Sequence, residues 1–428
     1  MANMTDILLQ NARLVDPAAR TDRKADILIR DGKIAAIDPS NIPTESEKYD
    51  LRGKIVAPGL IDMHVHLREP GGEEDETIET GTLAAIAGGF TSVACCPNTE
   101  PPLDSQASVE LVRQLALRAR HCHVYPLCCI SKNREGNELA ELGVLFAAGA
   151  VGCTDDGAPV SDAELMRRAM EYTLMFDKPL LSHAESAPLN KGGIMHEGLV
   201  SLQLGLRGMP PAAEDIMVSR DIDLAGITGA RLHVMHVSTA ASVAAIRCAK
   251  ERGIRVTAEV TPHHLTLTDE ELRSFDSNFK MNPPLRSSEH VIACTEGLLD
   301  GTIDAIATDH APHAREKKIR EINIAPFGII GLETALPLMI EKFIIPGLMT
   351  WTQLIEKMSV NPSRILGLNK GSLGVGADAD LTVIDPEIRW TFTKEEIHSR
   401  CCNTPWFGKE FTGRAVMTIV DGEVRYKI

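Results

Sequence analysis

Apolar and polar positions alternate in short runs at both ends of the chain. Near the amino terminus this pattern predicts strands at 7–10, 25–30 and 33–37. After residue 369 it predicts strands at 380–384, 415–420 and 423–426. An Asp-Gly pair joins the last two strands of each set, which favours a tight hairpin. Because neither end has enough apolar residues for a core of its own, we expect 1–57 and 370–428 to pair into one small β domain.

Between these ends, residues 58–369 alternate apolar runs with longer segments of helical character. Eight runs read as buried strands: 60–66, 91–97, 123–130, 149–156, 179–185, 231–238, 255–263 and 303–310. The helical pattern is clearest at 107–119, 162–175 and 240–251. Eight strand–helix alternations predict an α/β fold, a parallel (β/α)8 TIM-type barrel inserted into the small β domain.

The net charge of the chain argues against some classes of binding partner. Lys and Arg number 44 against 59 Asp and Glu, a formal charge of −15. Such a charge argues against nucleic acid or an anionic membrane as partner. The chain begins without the basic-then-apolar pattern of a signal peptide, and it has no apolar run of membrane-spanning length. We therefore expect a cytoplasmic protein.

The ten cysteines do not suggest a disulfide framework. Three pairs are adjacent in sequence, Cys95-Cys96, Cys128-Cys129 and Cys401-Cys402, and there is no Cys-x-x-Cys motif. A zinc ribbon or a redox dithiol is therefore not indicated. Buried packing residues in a reducing compartment are the better interpretation.

Candidate chemistry lies where the predicted barrel strands end, which is where barrel enzymes place their active sites. His64 and His66 are two residues apart on the first strand and therefore share a face. The other polar residues at strand ends are Asn98, Asp155, Asp156, His183, His236, Asp309, His310 and His313. Imidazoles and carboxylates are the usual ligands of zinc in hydrolytic sites, so the set predicts one or two zinc or similar divalent ions.

Each of these residues alone has a simpler interpretation. Asp156 can make a turn with Gly157, His183 and His236 can be core histidines, and Asp309 can cap a helix. Their occurrence together on five strands favours a metal site. His121 and His123 have the same spacing as the first pair but begin a strand, so we interpret them as structural.

At these residues the chain resembles the amidohydrolase superfamily, and within it the class I, bacterial-type dihydroorotases. The resemblance covers nearly the whole chain. It rests on five motifs: DMHVHLREPG at 62–71, PNTEP at 97–101, DDG at 155–157, KMNPPLR at 280–286 and TDHAPH at 308–313. It implies the reversible, metal-dependent cyclisation of N-carbamoyl-L-aspartate to L-dihydroorotate in de novo pyrimidine biosynthesis.

The resemblance also implies a set of metal ligands. His64 and His66 would hold a first ion with Asp309 near it, and His183 and His236 would hold a second. Many relatives bridge two metals with a carboxylated lysine, but the fourth strand here ends in Cys-Thr-Asp-Asp. Asp156 takes the bridging place by resemblance, and the adjacent Asp155 is its rival.

Further residues are predicted to act on the substrate. Asp309 is the candidate general acid and base, moving a proton between the attacking water and the ring nitrogen. Arg68 shares a face with His66, and its guanidinium suits the substrate carboxylate; its alternative partner is Glu69 or Glu73. The remaining predicted substrate-binding residues are His66, Asn98, Asn282, His313, Phe327 and Gly328. The last two follow a charged segment, 314–326, that is either a lid or a solvated loop.

Two other functions remain open at this point. A related cyclic amidase, an allantoinase or a hydantoinase, would use the same barrel, but its substrate lacks the ring carboxylate that Arg68 would bind. Some dihydroorotase-like chains instead lack metal ligands and are scaffolds for aspartate carbamoyltransferase, whereas this chain retains them. Association with aspartate carbamoyltransferase is still compatible with activity, and we expect a homodimer.

Overall fold

The computed structural model describes residues 5–428. Its strands are β1 Ile7–Asp16, β2 Thr21–Arg30, β3 Lys33–Ile37, β4 Glu47–Asp50, β5 Ile55–Pro58, β6 Leu60–Val65, β7 Phe90–Cys95, β8 His123–Pro126, β9 Leu180–Ser182, β10 Met195–His196, β11 Gly208–Met209, β12 Leu232–Val234, β13 Val256–Val260, β14 Ala305–Ile306, β15 Leu381–Thr391, β16 Glu410–Val420 and β17 Glu423–Lys427. Its α-helices are α1 Ile78–Ala87, α2 Gln106–Ala119, α3 Leu142–Ala147, α4 Ala163–Leu174, α5 Ala187–Asn190, α6 Leu199–Leu204, α7 Ala212–Thr228, α8 Ala240–Glu251, α9 Pro262–Thr266, α10 Ser288–Asp300, α11 Arg315–Lys318, α12 Ala335–Met339, α13 Trp351–Ile355 and α14 Asn361–Leu366.

Parallel pairing closes the barrel. Strands β6, β7 and β8 form one ladder, and β9, β12, β13 and β14 form another. Parallel bridges from Cys153 to Cys128 and to Leu180 join the ladders on one side, and a bridge from Val65 to His310 joins them on the other. The predicted α/β barrel is therefore confirmed, with helices α1, α2, α4 and α8 in its outer layer.

Several barrel strands are shorter than their apolar runs. The fifth and sixth predicted strands extend over three residues each in the structure, as β9 and β12. The fourth, predicted at 149–156, was wrong as a regular strand, because only isolated bridges at Cys153 pair there. The polar residues beyond these short strands therefore lie on irregular backbone at the mouth of the barrel.

The two ends of the chain share one sheet, ordered β17-β16-β15-β5-β1-β2-β3, with β4 paired to β1. The join is antiparallel between β5 and β15, with Ile55 opposite Ile384 and Pro58 opposite Leu381. Apolar residues from both ends, such as Leu9, Ile27, Val383 and Ile419, pack in one cluster.

The small sheet is attached to the barrel by side-chain hydrogen bonds. Thr382 Oγ1 donates to Gly89 O (2.6 Å), and Thr418 Oγ1 donates to Ile86 O (2.7 Å). The attachment therefore lies where α1 leads into β7. Among residues 5–428, no helix combines the length and the apolar character that crossing a membrane requires.

Candidate metal centre and active site

His64 and His66 extend from the end of β6 into the barrel mouth, and each has one ring nitrogen engaged by a protein group. His64 Nδ1–H donates to Glu259 Oε1 (2.7 Å), and His66 Nδ1–H donates to Asn98 Oδ1 (2.9 Å). These bonds fix the tautomer, so that both Nε2 atoms carry a lone pair. His64 Nε2 is buried and has no hydrogen-bond partner.

Asp156 lies between the two pairs of histidines. Its Oδ1 is 3.1 Å from His183 Nδ1, 3.6 Å from His64 Nε2 and 3.7 Å from His236 Nε2. Its Oδ2 is 3.5 Å from His66 Nε2. The structure thus places this carboxylate within 4 Å of all four imidazoles, which is the position that a bridging ligand needs.

Asp155, the rival, points elsewhere. Its carboxylate accepts hydrogen bonds from the backbone N–H groups of Ile130 (2.8 Å) and Ser131 (3.2 Å), and from the Ser131 hydroxyl. Those bonds tie the segment after Cys153 to the segment after β8. The geometry therefore separates a carboxylate that holds the backbone from one that faces the histidines.

Asp309 completes the cluster from beyond β14. Its Oδ1 is 2.9 Å from His66 Nε2 and 3.4 Å from His64 Nε2. Burial raises its pKa, but the neighbouring imidazoles of His64 and His66 lower the pKa of Asp309 overall. The side chain is therefore a carboxylate at neutral pH, able to accept a proton.

The cluster as a whole fits a divalent cation. Burial lowers the pKa of His183, but Asp156 and Glu185 raise it to about 10, so the carboxylates favour positive charge here. His64, His66, Cys96 and Asp156 each offer a ligand atom within 4.8 Å of the others, and Asp156, His183 and His236 form a second such group. Two groups that share one carboxylate suit one or two ions, and the nitrogen, oxygen and sulfur donors suit zinc.

Sequence reasoning missed the carboxylates behind the histidines. Glu259, fully buried on β13, binds both His64 and His233 Nε2 (3.1 Å). Burial raises its pKa, but the imidazoles of His64 and His233, which Glu259 binds, lower the pKa of Glu259 to about 2. Glu185 Oε2 accepts from His183 Nε2 (2.9 Å). A glutamate inside the apolar run 255–263 was the one available signal, since a buried charge needs a partner.

A cavity of about 300 Å³ opens over the cluster. All the residues predicted to bind substrate line it: His66, Arg68, Asn98, Asn282, His313, Phe327 and Gly328. Asp156, His183 and Asp309 line it as well, whereas His64 and His236 lie beneath. The predicted substrate residues thus converge on one space above the metal-binding groups.

Arg68 reaches this cavity from a left-handed backbone position, φ 60°. Its Nε–H donates to Pro312 O (3.2 Å), and Nη2 lies 3.4 Å from His313 Nε2. Neither proposed alternative partner pairs with it, because Glu69 accepts from Ile78 N and Glu73 accepts from Gly71 N. Within residues 5–428, Arg68 has no carboxylate at ion-pair distance.

His313 is a neutral imidazole beside Arg68. Burial and the charge of Arg68 lower the pKa of His313 to about 2. Its Nε2–H donates to Phe327 O (2.7 Å), which leaves the buried Nδ1 as an acceptor without a partner. The site therefore offers one hydrogen-bond acceptor on the same wall as its guanidinium.

Gly328 forms the wall opposite the cluster. A Cβ at this position would lie 2.5 Å from Ala311 Cβ, and its φ is 113°, so only glycine fits. Its N–H donates to Lys280 O (2.9 Å), and its carbonyl accepts from Lys318 Nζ (3.0 Å) and Asn403 Nδ2 (3.1 Å). Since both polar groups of Gly328 are engaged, its predicted contact with substrate would be through van der Waals packing.

Two lysines hold the charged segment that precedes this wall. Lys280 Nζ donates to Ile322 O and Ala325 O, and the buried Lys318 Nζ donates to Ser277 O (2.7 Å). The segment is therefore bonded to the body of the protein at several backbone carbonyls.

Comparison with known proteins finds relatives that match the chain over nearly its whole length. A family model described as "Dihydro-orotase-like" matches residues 53–242, and one described as "Amidohydrolase family" matches residues 230–426. The chain is 50% identical over 418 residues to a dihydroorotase of Pelotomaculum thermopropionicum, covering 98% of each protein. It is 49% identical over 423 residues to a dihydroorotase of Syntrophus aciditrophicus, covering 98% of this chain and 99% of the relative.

Solved structures of related amidases have the same fold. The chain superimposes on the L-hydantoinase (dihydropyrimidinase) of Arthrobacter aurescens with a TM-score of 0.89 at 27% identity, covering 99% of this chain and 96% of the other. A D-hydantoinase gives a TM-score of 0.87 at 23% identity, covering 99% of this chain and 95% of the other. Because the full-length sequence relatives are dihydroorotases at about half identity, this chain belongs to the dihydroorotase family of the metal-dependent cyclic amidohydrolases.

Proposed function

We propose that this protein interconverts N-carbamoyl-L-aspartate and L-dihydroorotate, the ring-closing step in de novo pyrimidine biosynthesis. The observation that carries the proposal is Arg68, a cation that lines the cavity next to His66 and has no carboxylate partner among residues 5–428. An arginine of this kind is suited to an anionic ligand that can accept two parallel hydrogen bonds. The carboxylate that dihydroorotate carries outside its reacting amide provides such a group.

The divalent ion belongs to the proposal as well. His64, His66, Asp156, His183, His236 and Asp309 would hold one or two ions, which we propose to be zinc. Bound there, such ions supply a water of lowered pKa and polarisation of the substrate carbonyl. Glu259, Asn98 and Glu185 would keep the ligating imidazoles in the correct tautomer and orientation.

The proton transfer is assigned to Asp309. In ring opening it accepts the proton of the attacking water and delivers it to the ring nitrogen, and in ring closure the steps reverse. The lowered pKa of Asp309 keeps it ionised for the first transfer. His313 Nδ1 can accept a hydrogen bond from a substrate N–H, and the amides of Asn98 and Asn282 can bind its carbonyl oxygens.

The direct test is turnover of L-dihydroorotate beside allantoin and an unsubstituted hydantoin, with metal content measured on the same protein. We expect activity on dihydroorotate alone, lost on chelation and restored by zinc. Activity confined to allantoin or hydantoin would be consistent with the proposed metal site but would contradict the assignment of L-dihydroorotate as the substrate. Full metal content without any turnover would favour a scaffold function.

Arg68→Ala tests the carboxylate contact. We expect KM for L-dihydroorotate to rise about 10- to 100-fold, because a charge-assisted hydrogen bond contributes about 1.5–3 kcal/mol. Arg68→Lys, which keeps the charge but not the planar fork, should recover part of the loss. An unchanged KM in the alanine variant would contradict the assignment.

The proposal includes two statements about assembly, and both are tested by the molar mass of the protein in solution. We propose a homodimer, and association with aspartate carbamoyltransferase remains compatible with an active enzyme. Light scattering of the purified chain, alone and mixed with aspartate carbamoyltransferase, distinguishes these states. A monomeric mass that does not change in the mixture would contradict both the homodimer and the association with aspartate carbamoyltransferase.

A further inference from the structure

The cysteine pair at the end of β7 has its two side chains on opposite sides of the strand. Cys95 is the last residue of β7 and packs in the apolar layer with Val65, Phe90 and Val93. Cys96 follows it and packs in the barrel interior with Met63 and Leu127. Successive residues of an extended chain alternate in this way, so only one thiol of the pair faces the metal-binding groups.

The inward thiol lies among the histidines of the site. The Sγ of Cys96 and ligand atoms of His64, His66 and Asp156 all lie within 4.8 Å of one another, and all four residues are buried. His64 Nε2, in the same group, has no hydrogen-bond partner although its side chain is fully buried. An imidazole nitrogen without a partner and a thiol beside it are two separate indications of a common ligand.

We propose that Cys96 is an additional protein ligand of the ion held by His64 and His66. This inference rests on the metal site of the proposed function. Zinc lies about 2.3 Å from sulfur and about 2.0–2.1 Å from imidazole nitrogen, so ligand atoms on one tetrahedral ion are about 3.5 Å apart. On metal binding the thiol of Cys96 would release its proton to solvent, and the thiolate sulfur would ligate the ion.

A thiolate would change which ion the site prefers. Oxygen-rich sites accept magnesium or manganese, whereas sulfur ligands select zinc and softer ions. Asp309 and Asp156 would supply oxygen to the ion, and Cys96 would supply sulfur. The site would therefore hold zinc against magnesium more strongly than its histidines and carboxylates alone would.

The first experiment uses cadmium or cobalt(II) added to the metal-free full-length chain, in a Cys248→Ser background that removes the exposed thiol. We expect a thiolate-to-metal charge-transfer band that saturates at the first equivalent. Cys96→Ser should lose the band, and Cys95→Ser, the adjacent control, should keep it. A band of equal intensity in the Cys96→Ser protein would overturn the proposal.

The second experiment needs no substitution, so it is independent of any effect on folding. X-ray absorption at the zinc edge of the unmodified holoenzyme should show a sulfur neighbour at about 2.3 Å beside nitrogen and oxygen neighbours. Bound zinc and dihydroorotate turnover without a sulfur neighbour would refute the role of Cys96 and leave the proposed function intact. Failure to bind any divalent ion would refute both.

Discussion

Three side chains of the active site begin from left-handed backbone: Arg68 (φ 60°), His236 (φ 32°) and Asp309 (φ 50°). Residues with a Cβ rarely adopt this conformation, which costs on the order of 1–3 kcal/mol and persists only where surrounding contacts enforce it. The strain at these three positions turns the carboxylate, the guanidinium and one imidazole toward the same space. The side chains proposed to bind substrate and those proposed to bind metal thus share the same unusual backbone conformation.

Asp309→Asn isolates the acid–base function of this residue. We expect kcat to fall about 10²- to 10⁴-fold, because the amide cannot accept a proton from water. Metal content by elemental analysis must accompany the kinetics, since Asp309 also lies 3.4 Å from His64 Nε2. Wild-type turnover with full metal content in this variant would rule out the assignment.

At the residue scale, sequence alone predicted which side chains line the cavity, but it preferred Asp156 to Asp155 only by resemblance. Two adjacent carboxylates have equal claims until the backbone is known, and a regular strand would have placed them on opposite faces. Glu259 was missed for a different reason. Its hydrogen bond to His64 spans 195 residues, and periodicity within one run contains no information on such a contact.

At the element scale, the three helical segments given bounds from the sequence were predicted to within one residue, whereas most barrel strands are shorter than predicted. The helical segment predicted at 107–119 is Gln106–Ala119, where Ser105 Oγ accepts from Ser108 N and caps the first turn. The run 303–310 forms a regular strand only at Ala305–Ile306, with isolated bridges at His310 beyond it. The apolar runs continue beyond the last residues that pair in the barrel sheet. Apolar composition therefore overestimates the length of these strands.

His123, at the start of β8, gives a pH-dependent contribution to stability. Its Nε2 lies 3.1 Å from Asp380 and 3.4 Å from Asp421 in the small β domain, and 3.2 Å from Lys370 Nζ. Burial lowers its pKa, but the bonds to Asp380 and Asp421 raise the pKa of His123 to about 9. A pKa raised on folding stabilises below the unfolded value of about 6.5, and the contribution is lost as pH rises through about 9.

We therefore expect the free energy of unfolding to fall between pH 6.5 and about 9 by on the order of 2 kcal/mol through this residue. Chemical denaturation across that range measures it. His123→Gln should flatten the decline, whereas His121→Gln, two residues away, should leave it. An identical pH dependence in all three proteins would show that this contact does not couple to stability.

At the scale of the whole molecule, the two ends of the chain form one sheet. Leu60 N–H donates to Thr382 Oγ1 across 322 residues, directly beside the β5–β15 join. The similar alternation of apolar and polar residues at the two ends predicted that they would pair. The register between them, and the additional strands β4 and β5, depended on contacts that only the folded chain provides.

Deletion of residues 410–428 tests how far the barrel depends on that sheet. The deletion removes the buried side chains Phe411, Ala415, Met417, Ile419 and Val420. At about 1.5–3 kcal/mol for each large apolar side chain, the loss is comparable with the whole stability of a domain, about 5–15 kcal/mol. We expect an insoluble product, measured as soluble yield.

The control is a chain that lacks only Lys427 and the exposed Ile428, and its yield and thermal unfolding should be unchanged. A soluble 1–409 chain that unfolds cooperatively would refute the dependence of the barrel on the sheet.

The shared sheet also means that β5 cannot pair with β15 until most of the chain has been synthesised. β5 leaves the ribosome early, but its partner β15 is synthesised more than 300 residues later. At about 5–20 residues per second, the unpaired edge waits roughly 15–60 s for its neighbour. The barrel strands and helices emerge during that interval, beside a β segment whose backbone hydrogen bonds are incomplete. A nascent chain of this protein thus has an unpaired β5 edge until β15 is synthesised.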